Sequence, residues 1–330
     1  MVELSYLVEA LSDPRAYPDS PARVEMAQTQ MSLVFMTDEY VYKLKKPVDL
    51  GYLDYTTLDK RLFFCHREVE LNRRLCPDVY LGVIPVTRDG EGIAIDGTGE
   101  TIEYAVKMRR LPRKAMMDVL LVEDRVSPQM IVRVAEKLAD FHRAAETISG
   151  SGDLQTIRTN TEENFNQTRA YVGRTISPEQ YQRIVESTKG FIKGNARLFG
   201  RRVSDGRIRD CHGDLHAAHI CFVDGVCIYD CIEFNDRFRY CDVAAEVSFL
   251  AMDLDRYRKP ELSRTFVDAY VDRSGDRQLP DLLAFYKTYF AYVRGKVEGF
   301  KLDDPLITDE EKAKTLGVAR RYFELAVSYL

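Results

Sequence analysis

The chain has 330 residues, of which 45% are apolar and 30% charged, with a formal net charge of −5. That length suits two domains or one domain of two lobes, each able to bury a core without structural metals. The acidic balance leaves no global basic field for nucleic acid. The longest apolar runs, such as Val119-Leu120-Leu121-Val122, are far too short to span a bilayer. Met1-Val2-Glu3-Leu4 lacks the character of a signal peptide, so a cytoplasmic protein with neither nucleic-acid nor membrane partners is expected. Seven cysteines without a Cys-x-x-Cys pair are expected to be reduced thiols that behave as small buried apolar residues.

In chain order, residues 33–36 and 40–44 read as two strands around the turn Thr37-Asp38-Glu39. A helix follows, with Leu58, Leu62, Val69, Leu71 and Leu75 near helical spacing and Cys76-Pro77 ending it. Residues 83–86 form a short strand, and 92–95 with 102–108 read as a hairpin across Asp96-Gly97-Thr98-Gly99. Beyond Arg109-Arg110-Leu111-Pro112 the pattern becomes helical. Ser127-Pro128 is a cap followed by proline at the first helical position, opening a helix with Ile131, Val134, Leu138 and Phe141 on one face. Further helices are expected at 161–173, 178–199, 242–255, 260–273, 279–300 and 308–329. Two short strands, 220–223 and 226–229, flank Asp224-Gly225. The fold class is therefore α+β, a small mostly-β N-terminal lobe (1–108), a connector (109–112) and a large mostly-α C-terminal lobe (113–330).

The informative stretch is Asp210-Cys211-His212-Gly213-Asp214-Leu215-His216-Ala217-Ala218-His219-Ile220, ahead of a hairpin that ends in Ile228-Tyr229-Asp230-Cys231-Ile232-Glu233. Phosphoryl transfer from ATP needs a carboxylate to orient the acceptor hydroxyl and take its proton, and a metal beside the phosphates. Asp214 on a loop, His219 five residues on and Asp230 past the hairpin answer those needs. Upstream, Lys43 ends a strand where an amine meets phosphates, and Glu68 on the next helix is placed to pair with it. Lys45 lies two residues along and shares that face, so either lysine fits the role. Glu233 reads equally as a metal or supporting carboxylate and as a surface charge. His216 reads as a structural hydrogen-bonder and His142 as partly buried. Asp253, Asp255, Glu261, Asp303 and Asp304 read as surface charges, with an aminated acceptor as the alternative.

Taken together, Val41-Tyr42-Lys43, Arg67-Glu68, Met108, Leu138-Ala139-Asp140-Phe141-His142, His212-Gly213-Asp214-Leu215-His216, Asp230 and Asp242-Val243-Ala244 resemble the aminoglycoside phosphotransferase and choline kinase-like superfamily, which has a protein-kinase-like fold. The resemblance implies a small-molecule kinase using ATP, with GTP an alternative, and Mg2+ or Mn2+. Asp214 becomes the catalytic base, with His212 beside it, and Asp230 the principal metal ligand, with His219 and Glu233 as further donors. Lys43 becomes the phosphate lysine and Glu68 its partner. Ser32, in Gln28-Thr29-Gln30-Met31-Ser32, stands where a glycine-rich phosphate loop is usual, Lys107, Met108 and Arg109 offer backbone groups to adenine, and Asp242 braces the catalytic loop. Val41–Pro47 and Cys231-Ile232-Glu233-Phe234-Asn235 resemble a bacterial branch often fused to a P-loop kinase domain; no such motif occurs here, so a separate P-loop kinase is implied as partner beside the small hydroxylated acceptor. The superfamily usually has asparagine at the His219 position, which leaves His219 acting through water, favouring manganese, or not binding metal. Two other readings compete: a nucleotide-binding pseudokinase with a regulatory role, and a metal-dependent phosphohydrolase using His212, His216 and His219.

Overall fold

The computed structural model describes residues 3–90, 92–150, 152–304 and 307–330; Met1 and Val2 of the N-terminal stretch considered above lie outside them. The elements are α1 (Leu4–Leu11), β1 (Glu25–Gln28), β2 (Ser32–Met36), β3 (Tyr40–Lys45), α2 (Leu58–Arg73), β4 (Tyr80–Asp89), β5 (Gly92–Ile95), β6 (Glu100–Arg109), α3 (Met117–Val122), α4 (Pro128–Ala144), α5 (Leu154–Thr168), α6 (Pro178–Gly194), α7 (Ala196–Ser204), β7 (Ile208–Asp210), β8 (Ile220–Cys221), β9 (Cys227–Ile228), α8 (Asp236–Arg239), β10 (Tyr240–Asp242), α9 (Val243–Arg256), α10 (Pro260–Ser274), α11 (Leu279–Phe300) and α12 (Asp309–Ser328). They gather into two compact units, one of Met1–Val119 with His219–Asp236, the other of Leu120–Ala218 with Arg237–Leu330. Sequence alone puts the division at 109–112; by contact the first unit runs to Val119 and takes in the β8–β9 hairpin. The architecture is the α+β, two-lobed, kinase-like fold. No helix among the described residues is long and apolar enough to cross a membrane.

The first unit is built on a six-stranded antiparallel sheet in the order β1-β2-β3-β6-β4-β5. Side chains alternate faces along a strand, and β3 shows why this matters. Tyr42 and Leu44 join Leu7 and Leu11 of α1 in one apolar cluster, so Lys43 and Lys45 lie on the opposite face. There, Cys65 and Val69 of α2 pack with Val106 and Met108 of β6. The expected hairpin between 92–95 and 102–108 does not form. β6 is a central strand whose two edges are covered by β3 and β4, which leaves short β5 to pair with the free edge of β4.

The cysteine expectation needs correction at one pair. Cys76, just beyond α2, and Cys227, at the start of β9, form a disulfide with Cα atoms 4.9 Å apart; both lie in the same apolar cluster. Cys65, Cys211, Cys221 and Cys231 are buried thiols outside any disulfide, and Cys241 is a partly buried one.

The second unit is helical. Every residue of α9 from Val243 to Leu254 is buried, with α10 and α11 packed against it and α12 against α11. The α11–α12 approach is close enough that a Cβ at Gly295 would sit 3.0 Å from the Phe323 ring. The expected helix 178–199 is interrupted at Asn195, which separates α6 from α7. Arg202 of α7, with a side chain 1% exposed, bridges Asp242 at 2.6 Å and Asp276 at 2.5 Å. Removing the guanidinium strands two buried carboxylates. Arg202→Ala should therefore destabilise the protein by about 3–5 kcal/mol, read as a lowered denaturant midpoint; an unchanged midpoint would show that the two acids relax into water.

Candidate active site

Five ionisable side chains meet on the α2 face of the sheet. Lys43 Nζ lies 2.7 Å from Asp230 Oδ1 and 2.9 Å from Glu68 Oε1. Lys45 Nζ lies 2.7 Å from Glu68 Oε2 and also contacts Glu233 Oε1. The Tyr55 hydroxyl donates to that same Glu233 oxygen at 2.7 Å. Burial alone would lower both amines, but Asp230 and Glu68 around Lys43, and Glu233 and Glu68 around Lys45, outweigh it and hold both well above the ordinary lysine range. Burial likewise pushes Glu68 upward, and Lys43 and Lys45 overcome that to keep its carboxyl below its usual value. Two amines face three carboxylates, so the cluster carries a net negative charge. The outward member is Asp230, whose side chain is 40% exposed.

Local backbone explains Asp230. Its φ is +63°, a left-handed conformation uncommon for non-glycine residues and tolerated best by Asp and Asn. Two hydrogen bonds hold the segment there: Asp230 N donates to the Tyr80 hydroxyl at 3.1 Å, and Cys231 N donates to Asn72 Oδ1 at 2.8 Å. His219 Nε2 approaches Asp230 Oδ2 at 3.5 Å. A carboxylate oxygen and an imidazole nitrogen therefore converge on one place. Glu68 Oε1 faces Lys43 as an ion pair without an aligned hydrogen bond, and no aligned donor reaches that buried oxygen.

In the second unit the loop at 212–217 is pinned by α9. Glu246 Oε1 accepts from His212 N at 2.8 Å and from Gly213 N at 2.6 Å, and Asp253 Oδ2 accepts from Ala217 N at 2.9 Å. The two acids are seven residues apart, two helical turns on one face. Gly213 has φ +89°, where a side chain would be strained. Asp214, between the pins, keeps a side chain 32% exposed, and its amide donates to His212 Nδ1 at 3.3 Å. Behind Glu246 stands His142, 2.7 Å from Glu246 Oε2 and 2.7 Å from the Tyr270 hydroxyl. A carboxylate on a rigid glycine-turn loop and, in the other unit, a lysine–glutamate pair beside an exposed aspartate are the parts of a phosphotransferase.

Residues 64–285 match the family described as "Phosphotransferase enzyme family". The chain belongs to this phosphotransferase family. Proteins of Mycobacterium tuberculosis and Mycobacterium bovis, each named as uncharacterized, are 32% identical over 290 residues, 87% of this chain and 56% of theirs, so the chain spans about half their length. Among solved structures, choline kinase from Cryptosporidium parvum superposes with a TM-score of 0.57 at 10% identity, covering 98% of this chain and 94% of that one. A choline/ethanolamine kinase family protein from Mesorhizobium loti gives 0.55 at 12% identity with 98% of both chains covered. These two share the fold.

Within this phosphotransferase, the other residues singled out by sequence fall as follows. His212 is wholly buried, which gives it a supporting place behind Asp214. His216 Nδ1 accepts from Ala218 N at 3.3 Å, a structural bond as expected. His142 is 4% exposed, more deeply buried than its helix pattern suggested, because it carries Glu246. Glu233, read as a possible metal carboxylate, is instead the buried counter-ion of Lys45. Asp242 does not brace the catalytic loop; its carboxylate caps α9 through Ala244 N at 2.8 Å and pairs with Arg202. Ser32 is buried and its amide donates to Thr29 Oγ1 at 3.0 Å. Met108 packs in the α2-side cluster, Lys107 Nζ lies 4.3 Å from the Tyr40 ring centroid, and Arg109 N donates to Val79 O at 2.9 Å. Of the acids considered for an aminated acceptor, Asp253 pins the loop, Asp255 meets Lys287 at 2.8 Å and Asp303 meets Arg174 at 2.8 Å. Glu246 and Asp253 are the loop-holding residues that the motif pattern does not mark; their signal is two acids seven apart in the mostly apolar run from Val243 to Leu254.

The lowered Glu68 fixes a pH dependence. A carboxylate depressed in the folded state stabilises above its unfolded value, and the contribution disappears as pH falls through the folded value. Glu68→Gln should lower stability at pH 7, and the gap to wild type should narrow as pH drops below 4.5, where wild-type Glu68 takes up its own proton. Denaturant midpoints at pH 7 and at acid pH check this, and a gap independent of pH contradicts it.

Proposed function

We propose that this phosphotransferase moves the γ-phosphoryl group of ATP to a hydroxyl of a small molecule. The observation that carries the reading is the Lys43–Glu68–Asp230 arrangement, in which the amine is held between a buried and an exposed carboxylate. Glu68 fixes the lysine head from behind. When a triphosphate arrives, the Lys43 amine can turn from Asp230 toward phosphate oxygens, and Glu68 Oε1, which lacks an aligned donor, can accept a hydrogen bond from it.

The residues present suit a divalent ion: the cluster is net negative, and its exposed carboxylate shares a direction with an imidazole. Asp230 and His219 would hold it, and its chemistry there is to neutralise charge on the phosphate oxygens. A nitrogen donor shifts preference toward transition metals relative to magnesium. Asp214 orients the acceptor hydroxyl and takes its proton, the loop pins keeping its carboxylate from wandering. His212 being buried and hydrogen-bonded disfavours a three-histidine hydrolase centre. The resemblance further supports a separate P-loop kinase as a partner. Amicoumacin kinase, whose structure in complex with AMP-PNP, Ca2+ and Ami superposes at a TM-score of 0.54 and 10% identity over 98% of this chain and 94% of that one, is a kinase of this fold.

Screening hydroxylated metabolites with ATP and GTP tests the activity. Asp214→Asn should lower turnover by roughly a hundred- to ten-thousandfold with ATP binding retained, as calorimetry would show; full turnover in that variant removes Asp214 as base. His219→Asn should shift the manganese-to-magnesium activity ratio toward magnesium, and an unchanged ratio removes His219 from the metal.

A further inference from the structure

Lys45 has no part in the steps above, yet its side chain is only 1% exposed. It touches three elements at once: β3 through its own backbone, α2 through Glu68 Oε2, and the segment after β9 through Glu233, with the Tyr55 hydroxyl 3.4 Å from its amine. Tyr55 itself is fully buried, and Arg61 of α2 donates to its carbonyl at 2.9 Å. Burying an ion pair costs several kcal/mol of desolvation per ion, and an apolar pair of similar volume is often as stable or more so. Stability alone is therefore a poor reason for Lys45 and Glu233 to be charged.

The contacts supply another. Glu68 gives one oxygen to each lysine, Oε1 to Lys43 and Oε2 to Lys45. A carboxylate with one cation can rotate about its terminal torsion; with two, each oxygen is assigned. Glu233 lies three residues beyond Asp230, so its bond to Lys45 ties the Asp230 segment to the strand that carries Lys43. We infer that Lys45, Glu233 and Tyr55 form a positioning lock that sets the orientation of Glu68 and the separation of Lys43 from Asp230, and so controls how the protein holds the phosphates of a nucleotide. This rests on the phosphotransfer reading above. Without Lys45, Glu68 Oε2 and Glu233 would lose the amine that joins them, and Lys43 would lose its fixed setting.

The test is a cycle of Lys45→Met, Glu233→Gln and the double variant, followed by thermal midpoint and by calorimetric titration with MgATP and with adenosine. Lys45→Met leaves buried Glu233 without its cation and should lower the midpoint, Glu233→Gln leaves Lys45 paired with Glu68 alone and should lower it less, and the double variant should recover most of the Lys45→Met loss. ATP affinity of the recovered double variant should remain about ten- to a hundredfold weaker, as misaligned charge-assisted hydrogen bonds predict, with adenosine affinity unchanged. Lys45→Arg, which keeps the charge, should restore part of the ATP affinity lost in Lys45→Met. Wild-type ATP affinity in the double variant, or equal loss for ATP and adenosine, overturns the lock. Failure of the wild-type protein to bind ATP at all overturns instead the phosphotransfer reading on which it rests.

Discussion

Everything in the first unit is arranged around the expense of placing two lysines on the inward, α2-covered face of a sheet. A buried amine without a counter-ion would lose its proton or its place, so β3 could carry Lys43 and Lys45 only if carboxylates were brought to meet them. One comes from the middle of α2, and two from the segment after β9, 187 and 188 residues away in sequence. The three elements are held in register by this requirement, since moving any of them strands a charge. The carboxylates that keep the amines charged outnumber them, and the most exposed of the three is Asp230.

Charge is not the only tie. Asn72 joins α2 to the Asp230 segment, its Oδ1 accepting from Cys231 N while its Nδ2 donates to Glu68 O within α2 at 2.9 Å. The Cys76–Cys227 disulfide joins the end of α2 to the strand leading into Asp230. Neutral and covalent links thus fix the backbones, and the ion pairs then need only orient side chains. The helical unit solves a parallel problem in the same way. A loop whose amides would otherwise be unpaired inside the protein is held by two acids of α9, and one of these is in turn held by His142 from α4.

How much of this could be read in the sequence depends on the range over which each signal acts. The last four helices of the second unit were legible nearly to the residue, α10 and α11 opening at Pro260 and near Pro280 where a missing amide costs nothing, whereas the helix expected at 161–173 begins seven residues earlier, at Leu154, and ends at Thr168. Period-two alternation put Lys43 and Lys45 on one face, and Glu68 followed as the acid on the next helix. Pairing was less legible. Alternation marks 92–95 and 102–108 as strands but carries no label for the partner edge, so β5 was joined to β6 in place of β4. The α6–α7 break at Asn195 has no proline to announce it.

The role of Glu233 shows where local reading stops. Three residues from Asp230, it looks like a second metal carboxylate, because spacing along the chain is the only geometry a sequence displays. The backbone turns sharply at Asp230, whose φ is positive, and a turn there separates the directions of residues that are close in number. Asp230 points outward while Glu233 turns inward to Lys45. Choosing between Lys43 and Lys45 as the phosphate lysine was a question with the same hidden premise, that one lysine works and the other is idle. Glu68 divides its two oxygens between them, so the lysines are complementary: Lys43, 16% exposed, is the one solvent reaches, and Lys45, 1% exposed and beside the buried Tyr55, is the one sealed between Glu68 and Glu233.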